Sequence, residues 1–105
     1  MTTPADPDDL IAFLHQQFEN QRFRGESVKT LAFAMPAPET AAYLTETGDL
    51  LLADVDAKRR ILDECESALR KSAPRSNLND LAWLVLRPLA LPYADRPGYR
   101  EEWRP

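Results

Sequence analysis

The segment from Asp49 to Ser72, DLLLADVDAKRRILDECESALRKS, carries a pattern that only one kind of local structure satisfies. Leu51, Val55, Leu62, Cys65 and Leu69 recur at steps of four, seven, three and four, which confines them to one stripe of an α-helix with Ile61 and Ala68 on its border. Charged residues occupy the opposite side. Asp49 after Gly48 is placed to cap the helix, Asp54 and Asp56 lie toward its positive end, and Arg70 and Lys71 lie at its negative end. A helix with one apolar stripe cannot bury it alone, so this segment demands helical partners.

Two further stretches supply them. Leu10, Ile11, Leu14 and Phe18 share a face, with Phe13 at its edge and Gln17 and Gln21 continuing the stripe in polar form, which predicts a helix over residues 8–22 ending before Gly25. Ser76 or Asn77 can cap a third helix in which Leu78, Leu81, Ala82, Val85 and Leu89 lie on one side. Trp83, Leu84 and Leu86 make that helix apolar over most of its circumference, and Pro88 predicts an end or kink near Arg87. Between the first two helices, residues 26–38 lose the helical period and read as a short extended segment closed by Pro36 and Pro38. Residues 39–47 read as a short helix stopped by Gly48. The expected fold is all-α: a small bundle of three long helices and one short one, in a single domain over residues 1–105. Residues 1–7 form a leader and 88–105 a tail rich in proline and aromatic residues. Leu14, Phe18, Val55, Leu62, Leu69, Leu81 and Val85 are the expected core.

Composition narrows the functional classes. The chain has 105 residues, 44% hydrophobic and 29% charged, with a single cysteine, so it is a modest domain that makes no internal disulfide. No apolar run approaches the ~18 residues that would span a bilayer, which excludes a transmembrane role. The start, MTTPADPDDL, lacks a secretory signal pattern, and the expected compartment is the cytoplasm. Acidity belongs to the first half: up to Leu52, three Lys or Arg face eight Asp or Glu, whereas ten face nine from Ala53 onward. A formal net charge of −4 argues against a general nucleic-acid binder and leaves room only for a local basic patch.

Few residues invite chemistry. His15, the lone histidine, has no second histidine and no cysteine pair to complete a zinc set, and reads as a surface residue. Cys65, on the central stripe, reads as a small buried hydrophobe. There is no Gly-rich phosphate loop, nucleophile elbow or metal-ligand spacing. No catalytic, cofactor-binding or metal-ligating residues are therefore expected. Lys58 is the anomaly, since it falls about 20° from Leu51 and about 40° from Leu62 on the helical wheel. Either its stem packs while its head pairs with Asp54 one turn earlier, or it receives a carboxylate from elsewhere, Glu101 or Glu102 of the tail being candidates.

The tail LALPYADRPGYREEWRP is the other distinctive stretch. Pro97-Gly98 suits the centre of a type II turn, and Tyr93, Tyr99 and Trp103 space large rings along it. A docked tail would bury Trp103 and at least one tyrosine, while a free one would offer the rings to another chain. Together with DDLIAFLHQQF and VDAKRRIL, this tail resembles a family of small actinobacterial proteins of unknown function, the three blocks covering about a third of the chain. Members of that family often carry histidines just before the central helix and ahead of the tail, where this chain has Ala42, Glu46 and Pro88. The resemblance implies a chain plan and no mechanism. The function these features support is a non-enzymatic helical protein that binds a protein partner or a second copy of itself, with Lys58, Tyr93, Tyr99, Glu101, Glu102 and Trp103 as candidate interaction residues. The alternative is a DNA-associated regulator using Arg59, Arg60, Arg70, Lys71 and Arg75.

Overall fold

A computed structural model describes residues 7–71 and 76–105. The leader before Pro7, the Ala73-Pro74 stop and Arg75 lie outside the described residues. Among those described there are three α-helices and no strand: α1 (Pro7–Phe33), α2 (Pro38–Lys71) and α3 (Asn77–Ala90). Two 3-10 turns follow, Leu91–Tyr93 and Glu101–Trp103. The fold class is all-α, as the stripes on the three long segments require.

Both helix ends expected at glycine are absent. α1 runs through Gly25 for 27 residues and α2 through Gly48 for 34, so the extended segment at 26–38 is helical as far as Phe33 and the short helix at 39–47 is the first part of α2. The glycines are there for space. A Cβ on Gly48 would lie 2.9 Å from the carbonyl oxygen of Gly25 and 2.3 Å from Cγ of Lys29, and one on Gly25 would lie 3.0 Å from Cδ2 of Leu52. Close approach of two backbones outweighs the ~1 kcal/mol that glycine costs inside a helix. Pro38, expected to end a strand, opens α2 at the first helical position, where its fixed φ fits and no N–H is needed.

The chain forms two compact units, Gln17–Arg59 and the pair of segments Met1–Gln16 with Arg60–Pro105. Gln17–Arg59 is an antiparallel helical hairpin. Phe18 and Val55 are fully buried in it, together with Gln17 and Gln21. Gln21 Nε2 donates to the backbone oxygen of Leu51 at 3.1 Å and to Asp54 Oδ2 at 2.8 Å, which satisfies the amide inside the hairpin. Arg22–Asp56, Lys29–Asp49 and Glu19–Arg59 tie the two helices along its flanks, at 3.2, 2.8 and 3.5 Å. Asp49 is thus a mid-helix ion-pair partner and not a cap.

The second unit buries larger side chains. Leu10, Leu14, Leu62 and Leu86 are fully enclosed, and Trp103 is 1% exposed. The edge of the Phe13 ring meets Tyr99 (centroids 5.9 Å apart), and both rings lie against Trp103, at 5.3 Å from Phe13 and 5.6 Å from Tyr99. Gly98, at φ +95°, takes the third position of a turn closed by Tyr99 N–H donating to the oxygen of Arg96 at 3.2 Å, and this turn brings Tyr99 and Trp103 back toward Phe13. Ser76 caps α3 by accepting from the N–H of Asn79 at 3.1 Å.

α3 presents a different side from the one expected. Ala82, Leu86 and Ala90 are buried, while Leu81 and Val85, expected in the core, are 57% and 43% exposed. That is a rotation of roughly a quarter turn. The reason is the helix's composition: with apolar residues nearly all round, its period cannot choose a face, and the two alanines bracketing Leu86 make the side that packs closest. Leu69, also expected in the core, is only partly buried. α3 also continues past Arg87 to Ala90 with Pro88 inside it, because a proline in the last turn forfeits one bond and leaves the helix to tighten into the 3-10 turn that follows.

Candidate functional site

The quarter turn of α3 leaves an apolar face uncovered. Leu78, Leu81, Leu84, Val85 and Leu91 are exposed by 38–67%, with Leu84 the most open. On the helical wheel these positions, with Pro88, fall within an arc of about 140° that holds no charge. Asp80 and Arg87 stand on one edge of that arc, within about 20° of each other. The Arg87 guanidinium lies 5.4 Å from the centre of the Trp83 ring, a cation–π contact that fixes its stem against the helix. This face is made by a well-capped helix of a unit with a buried aromatic core, so its shape is held by packing on the opposite side.

The residues singled out by sequence separate into two groups. Trp103 and Tyr93 are buried and Tyr99 is partly buried, so these rings are part of the packing of their own unit. Glu101 is held by Arg104 through two bonds, at 2.9 and 3.1 Å, which lowers its pKa and raises that of Arg104. Arg100 sits 3.0 Å from Asp9 and 3.6 Å from Glu102, joining the tail to the start of α1. Lys58 pairs with Asp54, 2.8 Å away and one turn earlier on the same helix, the first of the two arrangements expected for it. That bond, with a second from Gln21, holds the Asp54 carboxyl below its ordinary 3.8 against the opposing effect of burial.

The cations proposed for DNA are partly neutralised. Arg59 pairs with Glu19, and Arg70 pairs with Glu66. Burial pushes the Cys65 thiol up from its ordinary value, as a small enclosed hydrophobe requires.

One grouping was not visible in the sequence. His15 of α1 comes together with Asp63 and Glu66 of α2, one ligand atom from each lying within 4.8 Å of the other two. Histidine and cysteine spacing does not reveal it, because both partners are carboxylates on a different helix. The signal available was the i, i+3 spacing of Asp63 and Glu66, which places them on one side of α2.

By its fold this is an all-α protein. The chain belongs to a family of unknown function, DUF6221, which matches it over residues 7–105. No curated protein and no solved structure matches the chain.

Proposed function

We propose that this is a non-enzymatic interaction protein that associates with a second copy of itself through the outward face of α3. The observation that carries the reading is the set Leu78, Leu81, Leu84 and Val85, exposed on one side of α3 and continued by Leu91 in the turn that follows. An apolar stripe of this kind lies well outside the scatter of single exposed leucines that any surface tolerates. The edge charges support a copy of the same chain as the occupant. Asp80 and Arg87 are seven residues apart and flank the stripe on the same side, one near each end of the helix. In an antiparallel pairing about a two-fold axis, like edges meet, so Asp80 of each copy faces Arg87 of the other and Leu84 and Val85 lie at the centre.

The expected strength follows from size. A 14-residue helix is about 21 Å long, so its face falls short of the ~800 Å² per partner of a standard interface, and the dimer is concentration-dependent in the micromolar range or weaker. Trp103 and Tyr93 of the tail are enclosed in their own unit and leave the face of α3 as the larger exposed apolar surface. Sedimentation equilibrium of the full chain, from micromolar to near-millimolar loading, tests the reading. A monomer–dimer equilibrium that Leu84→Glu abolishes, with the melt of the dilute monomer unchanged, supports it. A monomer at every concentration refutes it, and association that survives Leu84→Glu places the contact elsewhere.

A further inference from the structure

The geometry points to a second site: we infer that His15, Asp63 and Glu66 bind a divalent transition-metal ion of the zinc type. The three side chains come from two helices of one unit, with Asp63 and Glu66 on the same side of α2 and His15 on α1. His15 Nε2 and Glu66 Oε1 are 3.4 Å apart. That is longer than a well-formed N–H···O bond of about 2.7–3.2 Å. It matches the edge of a tetrahedron built on metal–ligand bonds of about 2.0–2.1 Å, which is roughly 3.3–3.4 Å. The third ligand atom lies within 4.8 Å of the others, and Asp63 is exposed, so binding would draw its side chain in by a change of rotamer.

The surroundings suit a carboxylate held for this purpose. Arg70 bonds the other oxygen of Glu66, Oε2, which leaves Oε1 directed at His15 and fixes the carboxylate for single-oxygen coordination. Asp63 and Glu66, with Ser67, Arg70 and Lys71, line a groove of about 350 Å³, so an ion reaches the two carboxylates from water. An imidazole nitrogen with two carboxylates selects zinc and its neighbours over magnesium or calcium, which prefer all-oxygen sets. Two cations in the same groove, Arg70 and Lys71, offset the two carboxylates and hold the affinity to a moderate level.

Because His15 is the only histidine in the chain, its ring resonances identify themselves. Titration of the full chain with zinc chloride, followed by NMR and by competition with a chromophoric chelator, should shift the His15 ring signals to saturation at one equivalent. His15→Ala and Asp63→Asn should each weaken binding roughly tenfold or more, while Cys65→Ala leaves it unchanged. Both substituted ligands are partly or fully exposed, so the variants keep their fold, which an unchanged far-UV spectrum verifies. Unmoved His15 signals at one equivalent, undiminished affinity in His15→Ala, or loss of binding in Cys65→Ala would each overturn the assignment.

Discussion

In the hairpin of Gln17–Arg59 two helices meet through glycines, buried glutamines and flanking ion pairs, whereas the unit of Met1–Gln16 with Arg60–Pro105 encloses leucines and aromatic rings. The two also differ in what they leave outside. In the hairpin, Leu31 and Phe33 project about 80° to either side of Phe23, so the open apolar groups of α1 form no stripe. Tyr43 and Leu50 of α2 share a side but stand about two turns apart. In the other unit Ile61 of α2 is open by itself, and the remaining exposed large apolar groups gather on α3 and the turn that follows it. A close approach governed by small residues cannot absorb large side chains, which scatter outward. A unit packed around Trp103 fills its interior with only one side of α3 and exposes the other as a continuous face.

The comparison can be broken most forcefully at Trp103. Trp103→Ala should cost about 3–5 kcal/mol in urea melts, since the ring is enclosed against Phe13 and Tyr99. Trp103→Phe should cost much less, because the indole Nε1–H has no hydrogen-bond partner among the described residues and removing it relieves a buried donor. Equal and small losses for both would mean that the tail adds nothing to this unit's core.

Next in size is the hairpin's glycine contact. Alanine at position 48 should gain about 1 kcal/mol of helix propensity in an open helix. Here its Cβ would meet the Gly25 carbonyl at 2.9 Å, so Gly48→Ala should instead lose about 1–3 kcal/mol by urea denaturation. A stabilised Gly48→Ala would show that the backbones do not need that approach.

The smallest effect concerns Asp54. Its folded-state pKa is depressed, first by Lys58 and then by Gln21, so its contribution is present above the ordinary 3.8 and is lost as pH falls through the lower folded value. Since the side chain is half exposed, that contribution is less than ~1 kcal/mol. The difference between the native chain and Asp54→Asn should therefore be small at neutral pH and vanish in strong acid. A difference that grows on acidification would reverse the sign argued here.

How much of this was legible in the sequence depends on what each pattern can encode. The stripe Val55, Leu62 and Cys65 named buried positions correctly, as did Leu14 and Phe18, because a one-sided helix has one way to turn. Gly25 and Gly48 were misread as stops, since a glycine that ends a helix and a glycine that lets a neighbour approach look alike until the neighbour is known. α3 was misread in rotation for the opposite reason, an excess of apolar residues with no polar side to fix it. Leu81 and Val85 changed from core to candidate interface on that account alone. The His15, Asp63 and Glu66 grouping joins positions some fifty residues apart, and the i, i+3 spacing of its two acids says nothing of the histidine on another helix.

Sedimentation equilibrium of two matched variants tests most directly whether α3 carries the contact. Leu84→Glu and Phe23→Glu each place a charge on a large apolar residue of similar exposure, 67% and 70%, one in each unit. The expected result is that Leu84→Glu is monomeric at loadings where the native chain and Phe23→Glu both dimerise, with all three showing the same melting temperature at dilutions where each is a monomer. Dissociation by Phe23→Glu with Leu84→Glu still dimeric would contradict the account and move the interaction surface to the hairpin.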